Sequence, residues 1–253
     1  MDKPLAGRVA LVTGSTGDGM GRSIALTLAR AGANIIVNYG TGRPGNQQQA
    51  EEVVRLIAGL GSEALAFQAD TTDDDQVAAM VAAAQARFGP IDILVINAGS
   101  PWQPRDIVDI PPEVWRRVLA AELDGAFLCL KHVLPTMRAR RWGRIVLLGM
   151  DGTERWNGPP YDAVLGKAGR HALMRLLARQ EIKHGITVNT IAPGFTRPVP
   201  LAEALAAARD GSDWQARGWA KPQDVAEAVV YLCSEAARFV TGSVIALANN
   251  PFS

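Results

Sequence analysis

The sequence has few of the residues on which disulfide-linked and zinc-binding proteins depend. It contains two cysteines and three histidines in 253 residues, and none of them lies at a spacing typical of a metal site. Cys129 and Cys233 each stand among apolar neighbours, so we expect buried, reduced thiols in a cytoplasmic protein. The sequence therefore predicts neither a disulfide framework nor a bound metal.

An excess of charge of one sign is also lacking, as are long hydrophobic runs. The 26 basic and 25 acidic residues leave a net charge of +1, which provides no field to attract nucleic acid or acidic membranes. No apolar run approaches the roughly 18 residues of a membrane span, and the first residues lack the layout of a secretion signal. We therefore expect a cytoplasmic protein that acts on a small molecule, without nucleic-acid or membrane partners.

What the sequence does contain is a regular alternation of short apolar runs and longer stretches of helical period. The predicted strands are Val9–Val12, Asn34–Asn38, Ala64–Gln68, Ile91–Ile96, Arg144–Leu148, Thr187–Ile191 and Ser243–Leu247. The predicted helices are Arg22–Ala31, Gln47–Leu60, Asp73–Phe88, Glu113–Met137, Ala163–His184 and Pro222–Ser234. Apolar strands separated by helices predict a parallel sheet with right-handed crossovers. The fold class is α/β: one doubly wound, Rossmann-type domain over residues 1–253, with about seven strands and helices on both faces.

One stretch, residues 197–220, has no clear strand and is predicted to be a flap over the substrate site. Four tryptophans, Trp102, Trp156, Trp214 and Trp219, suggest an aromatic lining for a hydrophobic ligand. Packing in the core or within the flap explains them equally well.

A glycine-rich turn follows the first predicted strand and leads into the first helix. It contains Gly14, Gly19 and Gly21. Glycines let the backbone approach a pyrophosphate closely, and the unpaired amides at a helix N-terminus attract it. The turn therefore predicts a dinucleotide-binding site.

Further motifs follow this turn in order along the chain. They are Asp70, Asn97-Ala98-Gly99, Gly143-Arg144-Ile145-Val146, Lys167-Ala168-Gly169, Val188-Asn189, and Pro193-Gly194 with Thr196. Together with Thr13–Gly21 they make the chain resemble the short-chain dehydrogenase/reductase family from Leu5 to Leu247. The resemblance implies an NAD(P)-dependent oxidoreductase acting on a carbonyl or alcohol, and a homo-oligomer (dimer or tetramer) paired through the two long helices.

The resemblance also implies which residues face the cofactor. They are Gly14, Ser15, Gly19, Met20, Gly21, Tyr39, Asp70, Thr71, Asn97, Ala98, Gly99, Lys167, Pro193, Gly194 and Thr196. The glycine turn departs from the family pattern, because four residues rather than three separate its first two key glycines, and one of them is Asp18. Cofactor choice depends on the end of the second strand, where Asn38-Tyr39 supplies no acid to pair with a ribose. With Arg43 following, this favours NADP over NAD.

The catalytic positions implied by the resemblance are mostly replaced. In the family a tyrosine exchanges the proton with the substrate, a lysine four residues later lowers the tyrosine pKa, a serine holds the carbonyl, and an asparagine links the lysine to water. Lys167 fixes the register, which places Ala163 at the tyrosine position and Met150 at the serine position. Glu122 falls at the asparagine position, and we predict a Glu122–Lys167 ion pair in place of the proton relay.

Other residues are candidates for the missing acid. Tyr161 lies six residues before Lys167, about 120° around a helix, and it serves either as an acid or as a packing residue at the helix entrance. Asp151 is a second candidate or a turn residue. His171, one helical turn beyond Lys167, is expected to pack within the helix layer.

Three hypotheses remain open from the sequence. The protein is an oxidoreductase whose acid comes from Tyr161, Asp151 or the substrate itself. Alternatively it is a catalytically inert scaffold that forms a hetero-oligomer with an active relative. The third hypothesis is a different, non-redox chemistry in the same pocket.

Overall fold

The computed structural model describes residues 3–42, 44–211 and 220–247. Its seven parallel strands form one sheet in the order β3-β2-β1-β4-β5-β6-β7. The strands are β1 (Val9–Val12), β2 (Asn34–Tyr39), β3 (Ala64–Gln68), β4 (Ile93–Ile96), β5 (Gly143–Leu148), β6 (Ile186–Pro193) and β7 (Val244–Leu247). The helices are α1 (Met20–Arg30), α2 (Asn46–Gly59), α3 (Asp74–Phe88), α4 (Pro112–Leu119), α5 (Gly125–Arg140), α6 (Tyr161–Glu181), α7 (Leu201–Asp210) and α8 (Pro222–Cys233).

The central strands are apolar because helices cover the sheet on both faces. Every residue of β1, β4, β5 and β6 is buried. One apolar core lies between the sheet and α1, α2 and α8, and a second lies against α3, α5 and α6. The predicted doubly wound α/β fold is confirmed.

The strand order reverses beside β1, and this reversal locates the site. Val12 pairs with Val37 of β2 on one side and with Val95 of β4 on the other. In an open parallel sheet, ligands bind at the carboxyl ends of the strands at such a switch point. The loops after β1, β4 and β5 therefore form the candidate site.

The predicted helix Glu113–Met137 is not continuous. A π-helical turn at Ala120–Asp124 separates α4 from α5, with Glu122 at its middle. A π-turn widens the helix by one residue and leaves carbonyls without their usual partners. Periodicity alone does not show such a turn, because the apolar residues on either side keep a nearly helical spacing.

Part of the predicted flap is an ordered helix, which the sequence analysis missed. α7 lies within residues 197–220 and buries Ala204 and Ala208 against the core that includes α1. Trp214 and Trp219 fall outside the described residues.

Membrane-spanning helices and clusters of metal-binding side chains are absent from the described ranges. In them, none of the helices is long and apolar enough to cross a membrane. The same residues hold no group of three or more histidine, cysteine or acidic side chains placed to bind a metal ion. Cys129 and Cys233 are free and buried, and burial raises the pKa of each thiol to about 12.

Candidate active site

The glycine turn, residues 14–21, is packed so tightly that two of its glycines cannot be replaced without movement. Gly14 has a φ of 62°, in the left-handed region. A Cβ on Gly21 would lie 2.3 Å from the Gly14 carbonyl oxygen and 2.5 Å from the Asn97 side-chain nitrogen. The turn therefore has its shape because these positions carry no side chain.

Asn97 ties the loop after β4 to this turn. Its side-chain amide donates to the carbonyls of Thr13 and Gly14, at 2.9 Å each. The Thr13 hydroxyl in turn accepts the backbone N–H groups of Asn97 and Ala98 at 3.0 and 2.9 Å. The ends of β1 and β4 are thus held together as one rigid edge.

The third glycine, Gly19, borders open space. It is the N-cap of α1 and makes no side-chain capping bond, and a Cβ placed on it would meet nothing within 4 Å. The first amides of a helix have no intrahelical partner, and they carry the positive end of the helix dipole. The residues at the start of α1, from Gly19 and Met20 onward, therefore fit the pyrophosphate of a dinucleotide. Asp18 of the lengthened turn is exposed.

Several predicted cofactor residues use their side chains within the protein. The Ser15 hydroxyl donates to the Val12 carbonyl at 3.0 Å, and one Asp70 oxygen accepts from the backbone N–H of Thr72 at 2.9 Å. The Tyr39 ring packs in the core. These residues can therefore contact a cofactor through their backbone atoms more readily than through their polar side-chain atoms.

The polar side chain at the end of β2 is also used for hydrogen bonds within the protein. The Asn38 side chain accepts from the Gly14 N–H at 3.0 Å and donates to the Ala69 carbonyl at 3.1 Å. The next residue with an open position is Gly40, whose Cβ would meet nothing within 4 Å. Arg43, on which the NADP prediction depends, lies outside the described residues.

The remaining cofactor candidates lie at or just after the carboxyl ends of β3 and β6. Thr71 packs against Gly125 at the start of α5. Pro193 ends β6, the Gly194 N–H donates to the Leu247 carbonyl at 3.1 Å, and the Thr196 hydroxyl donates to the Gly194 carbonyl at 3.3 Å.

Glu122, Lys167 and Arg170 form a charged cluster between the π-turn and α6. One Glu122 oxygen, Oε2, lies 3.1 Å from the Lys167 ammonium and 3.1 Å from the Arg170 guanidinium. Glu122 and Arg170 are fully buried, whereas the Lys167 side chain is 19% exposed. The predicted Glu122–Lys167 ion pair is confirmed.

The other Glu122 oxygen, Oε1, connects the cluster to the loop after β4. It accepts the N–H and the hydroxyl of Ser100 at 2.8 and 2.9 Å. Two glycines make room for this carboxylate, since a Cβ on Gly99 would lie 2.7 Å from Oε1 and one on Gly166 would lie 2.6 Å from the Glu122 Cβ.

Arg170 is a functional candidate that the sequence analysis missed. Its Nε donates to the Glu122 carbonyl at 2.8 Å and its Nη1 donates to the Leu148 carbonyl at 3.0 Å, while Nη2 bonds the Ala98 carbonyl. It thereby joins the π-turn to the ends of β4 and β5. The spacing of Ala163, Lys167, Arg170 and Met174 on one helix face was the available signal.

The cluster changes the protonation of its members. Burial, followed by the charge of Arg170, lowers the pKa of Lys167 to about 8, although Glu122 opposes the shift. Burial alone would raise the pKa of Glu122, but the charges of Lys167 and Arg170 outweigh it and hold that pKa below its ordinary value. The cluster thus carries one more positive charge than negative when Lys167 is protonated.

The alternative acids are placed differently. Tyr161 is the first residue of α6, and within the described part of the chain its hydroxyl makes no hydrogen bond. Asp151 lies in the turn after β5, with one oxygen 4.0 Å from Arg155. His171 is buried, and its Nδ1 lies 3.3 Å from the Thr153 hydroxyl, which agrees with the packing role expected for it.

Comparison with known proteins identifies the family. The model of the enoyl-(acyl carrier protein) reductase family matches residues 14–248. The chain is 37% identical to cis-4-hydroxycyclohexanecarboxylate dehydrogenase of Sinomonas cyclohexanicum, over 98% of this chain and 97% of that protein. The chain belongs to the short-chain dehydrogenase/reductase family.

Other members of this family are similar over nearly the whole chain. The 3-oxoacyl-(acyl-carrier-protein) reductase of Staphylococcus aureus is 35% identical over 93% of this chain and 94% of its own. The crystal structure of a short-chain alcohol dehydrogenase from Sinorhizobium meliloti superimposes with a TM-score of 0.83, at 32% identity over 97% and 96% of the two chains. These relatives are named as oxidoreductases.

Proposed function

We propose that this short-chain dehydrogenase/reductase is an NAD(P)-dependent oxidoreductase that interconverts a carbonyl and an alcohol. The observation that carries the proposal is an unbroken line of contacts along the carboxyl edge of the sheet. Asn97 bonds Gly14 in the glycine turn, Gly99 packs against Glu122, and Glu122 pairs with Lys167. A dinucleotide bound at Gly19 would lie along this edge, as in other proteins with this switch point.

The chain's own residues bind and orient the reactants in this proposal. The amides at the start of α1 hold the pyrophosphate, and Thr196 holds the nicotinamide half. When bound, the nicotinamide supplies or accepts the hydride that the substrate carbon exchanges. Met150 and Ala163 give the substrate an apolar floor, which excludes water from the reacting carbon.

The substrate class we propose is a secondary alcohol, or the matching ketone, of a carboxylic acid or acyl group. The names of the relatives support it: a cyclic hydroxy acid dehydrogenase, a 3-oxoacyl reductase, and a D-beta-hydroxybutyrate dehydrogenase of Rhizobium meliloti that is 37% identical over 78% of this chain and 74% of its own. The Trp102 and Trp156 rings, which stack edge to face at 5.5 Å, add an apolar surface on the loops after β4 and β5.

Further elements of the proposal concern cofactor choice, the flap and assembly. We assign NADP as the preferred cofactor, because the end of β2 provides no acidic side chain for a ribose. Residues 197–220 are assigned as the substrate flap, supported by the hydrogen bonds of Val199 to Asp18 and Arg22 beside the glycine turn. We assign a homo-oligomer, because Phe127 on α5 and Leu165 on α6 are exposed.

A nucleotide titration tests the proposed cofactor site. NADPH and NADH are titrated calorimetrically against the wild-type chain and against Gly19→Asp. The substitution fits sterically and places a carboxylate beside the phosphate, so we expect binding to weaken at least tenfold, about 1.4 kcal/mol. Gly19→Asn is the matched control, because it has the size of aspartate without the charge and should bind more tightly than Gly19→Asp. Equal binding by all three chains would contradict the site.

The alternative function is a catalytically inert scaffold that pairs with an active relative. The replaced tyrosine and serine positions favour it. The exposed apolar side chains of α5 and α6 (Phe127, Leu165 and Leu176) fit a partner of either kind, a second copy or a relative. Purification of the chain alone separates the two functions. A stable homo-oligomer that turns over a hydroxy acid supports the oxidoreductase, whereas aggregation without turnover supports the scaffold.

A further inference from the structure

The Lys167 ammonium has more hydrogen-bonding capacity than its protein partners use. It carries three N–H bonds. Glu122 Oε2 lies 3.1 Å from the nitrogen and the Leu148 carbonyl oxygen lies 3.4 Å from it. In the part of the chain that the structure describes, no third acceptor is placed at this nitrogen, and the side chain remains 19% exposed. One N–H is therefore available to a ligand.

The residue one helical turn earlier leaves the approach to this ammonium open. Ala163 lies at i−4 from Lys167, on the same face of α6. A methyl group stands there instead of the phenol that the family resemblance implies, and Met150 adds no hydroxyl. A substrate oxygen can approach the ammonium without a side-chain hydroxyl between them.

We propose that Lys167 is itself the proton donor and acceptor of the reaction, in place of the missing tyrosine. The inference rests on the proposed oxidoreductase function. In reduction, an N–H bond of Lys167 breaks and an O–H bond forms on the substrate oxygen, as the ketone carbon gains the hydride that a bound reduced nicotinamide would supply. In oxidation the neutral amine takes the alcohol proton. Solvent restores the resting state through the exposed part of the side chain.

The two buried neighbours prepare Lys167 for this role. Burial and the adjacent Arg170 lower the pKa of Lys167 to about 8, and a general acid is most effective when its pKa lies near the working pH. Glu122 fixes the direction of the ammonium. Because Arg170 binds the same carboxylate oxygen, Glu122 does not fully compensate the lysine charge. Arg170 is a positioning residue in this arrangement.

The first test measures protonation without turnover. The chain has five lysines, so lysine labelled with ¹³C at Cε gives few NMR signals, and Lys167→Met assigns one of them. In the unliganded protein we expect the Lys167 signal to titrate near pH 8. Titration of Lys167 at the ordinary value would overturn the proposal.

The second test compares the two directions of the reaction. Initial rates are measured against pH with cis-4-hydroxycyclohexanecarboxylate and with its ketone. We expect kcat/KM for reduction to fall about tenfold per pH unit above the lysine pKa, and kcat/KM for oxidation to fall by the same factor below it. A lysine that only binds or orients would have to be protonated in both directions, so two profiles that both fall at high pH would overturn the proposal.

A chemically modified variant tests whether the two falling limbs of the pH–rate profiles move with the pKa of the amine at position 167. Lys167→Cys treated with bromoethylamine carries a sulfur analogue of lysine with a lower pKa, and the native cysteines are buried. We expect the substitution to cost about 10²–10⁴ in rate and the alkylation to restore activity with both pH limbs moved to lower pH. Lys183→Cys, at an exposed lysine, is the treated control. Restored activity with unmoved limbs would overturn the proposal.

Two further outcomes separate this proposal from the proposed function. If nucleotide binds but neither direction turns over, both are wrong. If turnover occurs and Tyr161→Phe loses about 10²–10⁴ in rate, the oxidoreductase stands and the acid is Tyr161 rather than Lys167.

Discussion

The cofactor edge and the charged cluster lie side by side, yet they are built from different parts of the chain. The glycine turn offers mostly backbone: open amides at Gly19 and a shape set by Gly14 and Gly21. The cluster depends on three ionised side chains, Glu122, Lys167 and Arg170. A site made of backbone is retained as long as its glycines are, whereas a site made of side chains changes with each substitution. The reaction end could therefore change while the binding end kept its form.

The largest effect is expected from Glu122→Gln, which changes the charged cluster and leaves the glycine turn unaltered. The substitution leaves two buried cations without a counter-charge, and we expect the free energy of unfolding to fall by about 3–5 kcal/mol. Urea denaturation measures it. The affinity for ADP-ribose, a probe of the glycine turn that lacks the nicotinamide ring, should change little, because the turn uses none of the three charges.

A double variant supplies the control for that prediction. Glu122→Gln with Lys167→Met removes one of the uncompensated cations, so it should be more stable than Glu122→Gln alone. If the two substitutions simply add, the ion pair has no energetic role. If ADP-ribose binding is lost together with stability, the two ends are not separable.

The next largest effect concerns the backbone end. Gly21→Ala places a methyl group 2.3 Å from the Gly14 carbonyl oxygen, so the turn must shift, at a cost of about 1–3 kcal/mol. We expect ADP-ribose to bind at least tenfold more weakly, which corresponds to about 1.4 kcal/mol, while the Lys167 pKa stays near its wild-type value.

Gly19, earlier in the same turn, provides the matched control. Gly19→Ala adds the same methyl group in open space, and at this N-cap position it should change the free energy of unfolding by no more than about 1 kcal/mol. If both substitutions lowered stability and ADP-ribose affinity equally, the turn would depend on the flexibility of its glycines rather than on the close approach of its backbone.

The sequence predicted the architecture well because apolar periodicity reports burial directly. Strands β1 and β3 have the predicted bounds, and the other strands differ at their ends by one or two residues. The π-turn around Glu122 was not predicted, because one extra residue within a long helix hardly disturbs the apolar pattern. The helix α7 was missed because its face is made of alanines, which signal burial weakly.

At the site, spacing along the chain predicted which residues pair, but it did not predict which way the side chains point. The Glu122–Lys167 pair followed from the register that the family resemblance sets. Arg170 was missed because an arginine on a helix is usually solvated, and only the meeting of three loop ends shows why this one is buried. Asn38 and Tyr39 were considered for cofactor choice, although both point inward and Gly40 is the open position.

A smaller effect is expected at that open position. Gly40→Asp places a carboxylate one residue after β2, where it can pair with ribose hydroxyls and repel an added phosphate. We expect the ratio of NADH to NADPH affinity to rise about tenfold, or about 1.4 kcal/mol. Gly40→Asn is the uncharged control. An unchanged ratio would mean that the ribose does not lie beside Gly40, and the proposed cofactor site would be wrong at that point.

The smallest expected effect is a pH dependence confined to the reaction end. Burial, followed by the charge of Arg175, lowers the pKa of His171 from its ordinary 6.5. Below pH 6.5 the unfolded chain therefore binds more protons at this position than the folded chain does, and stability falls as the pH drops through that value. The urea midpoint of the wild type should decrease more between about pH 7.5 and about pH 5.5 than that of His171→Asn.

The glycine turn contains one titratable side chain, the exposed Asp18, so ADP-ribose affinity should follow the same pH course in both chains. Parallel midpoints would remove His171 as the cause, and diverging affinities would show that protonation at the reaction end reaches the cofactor edge.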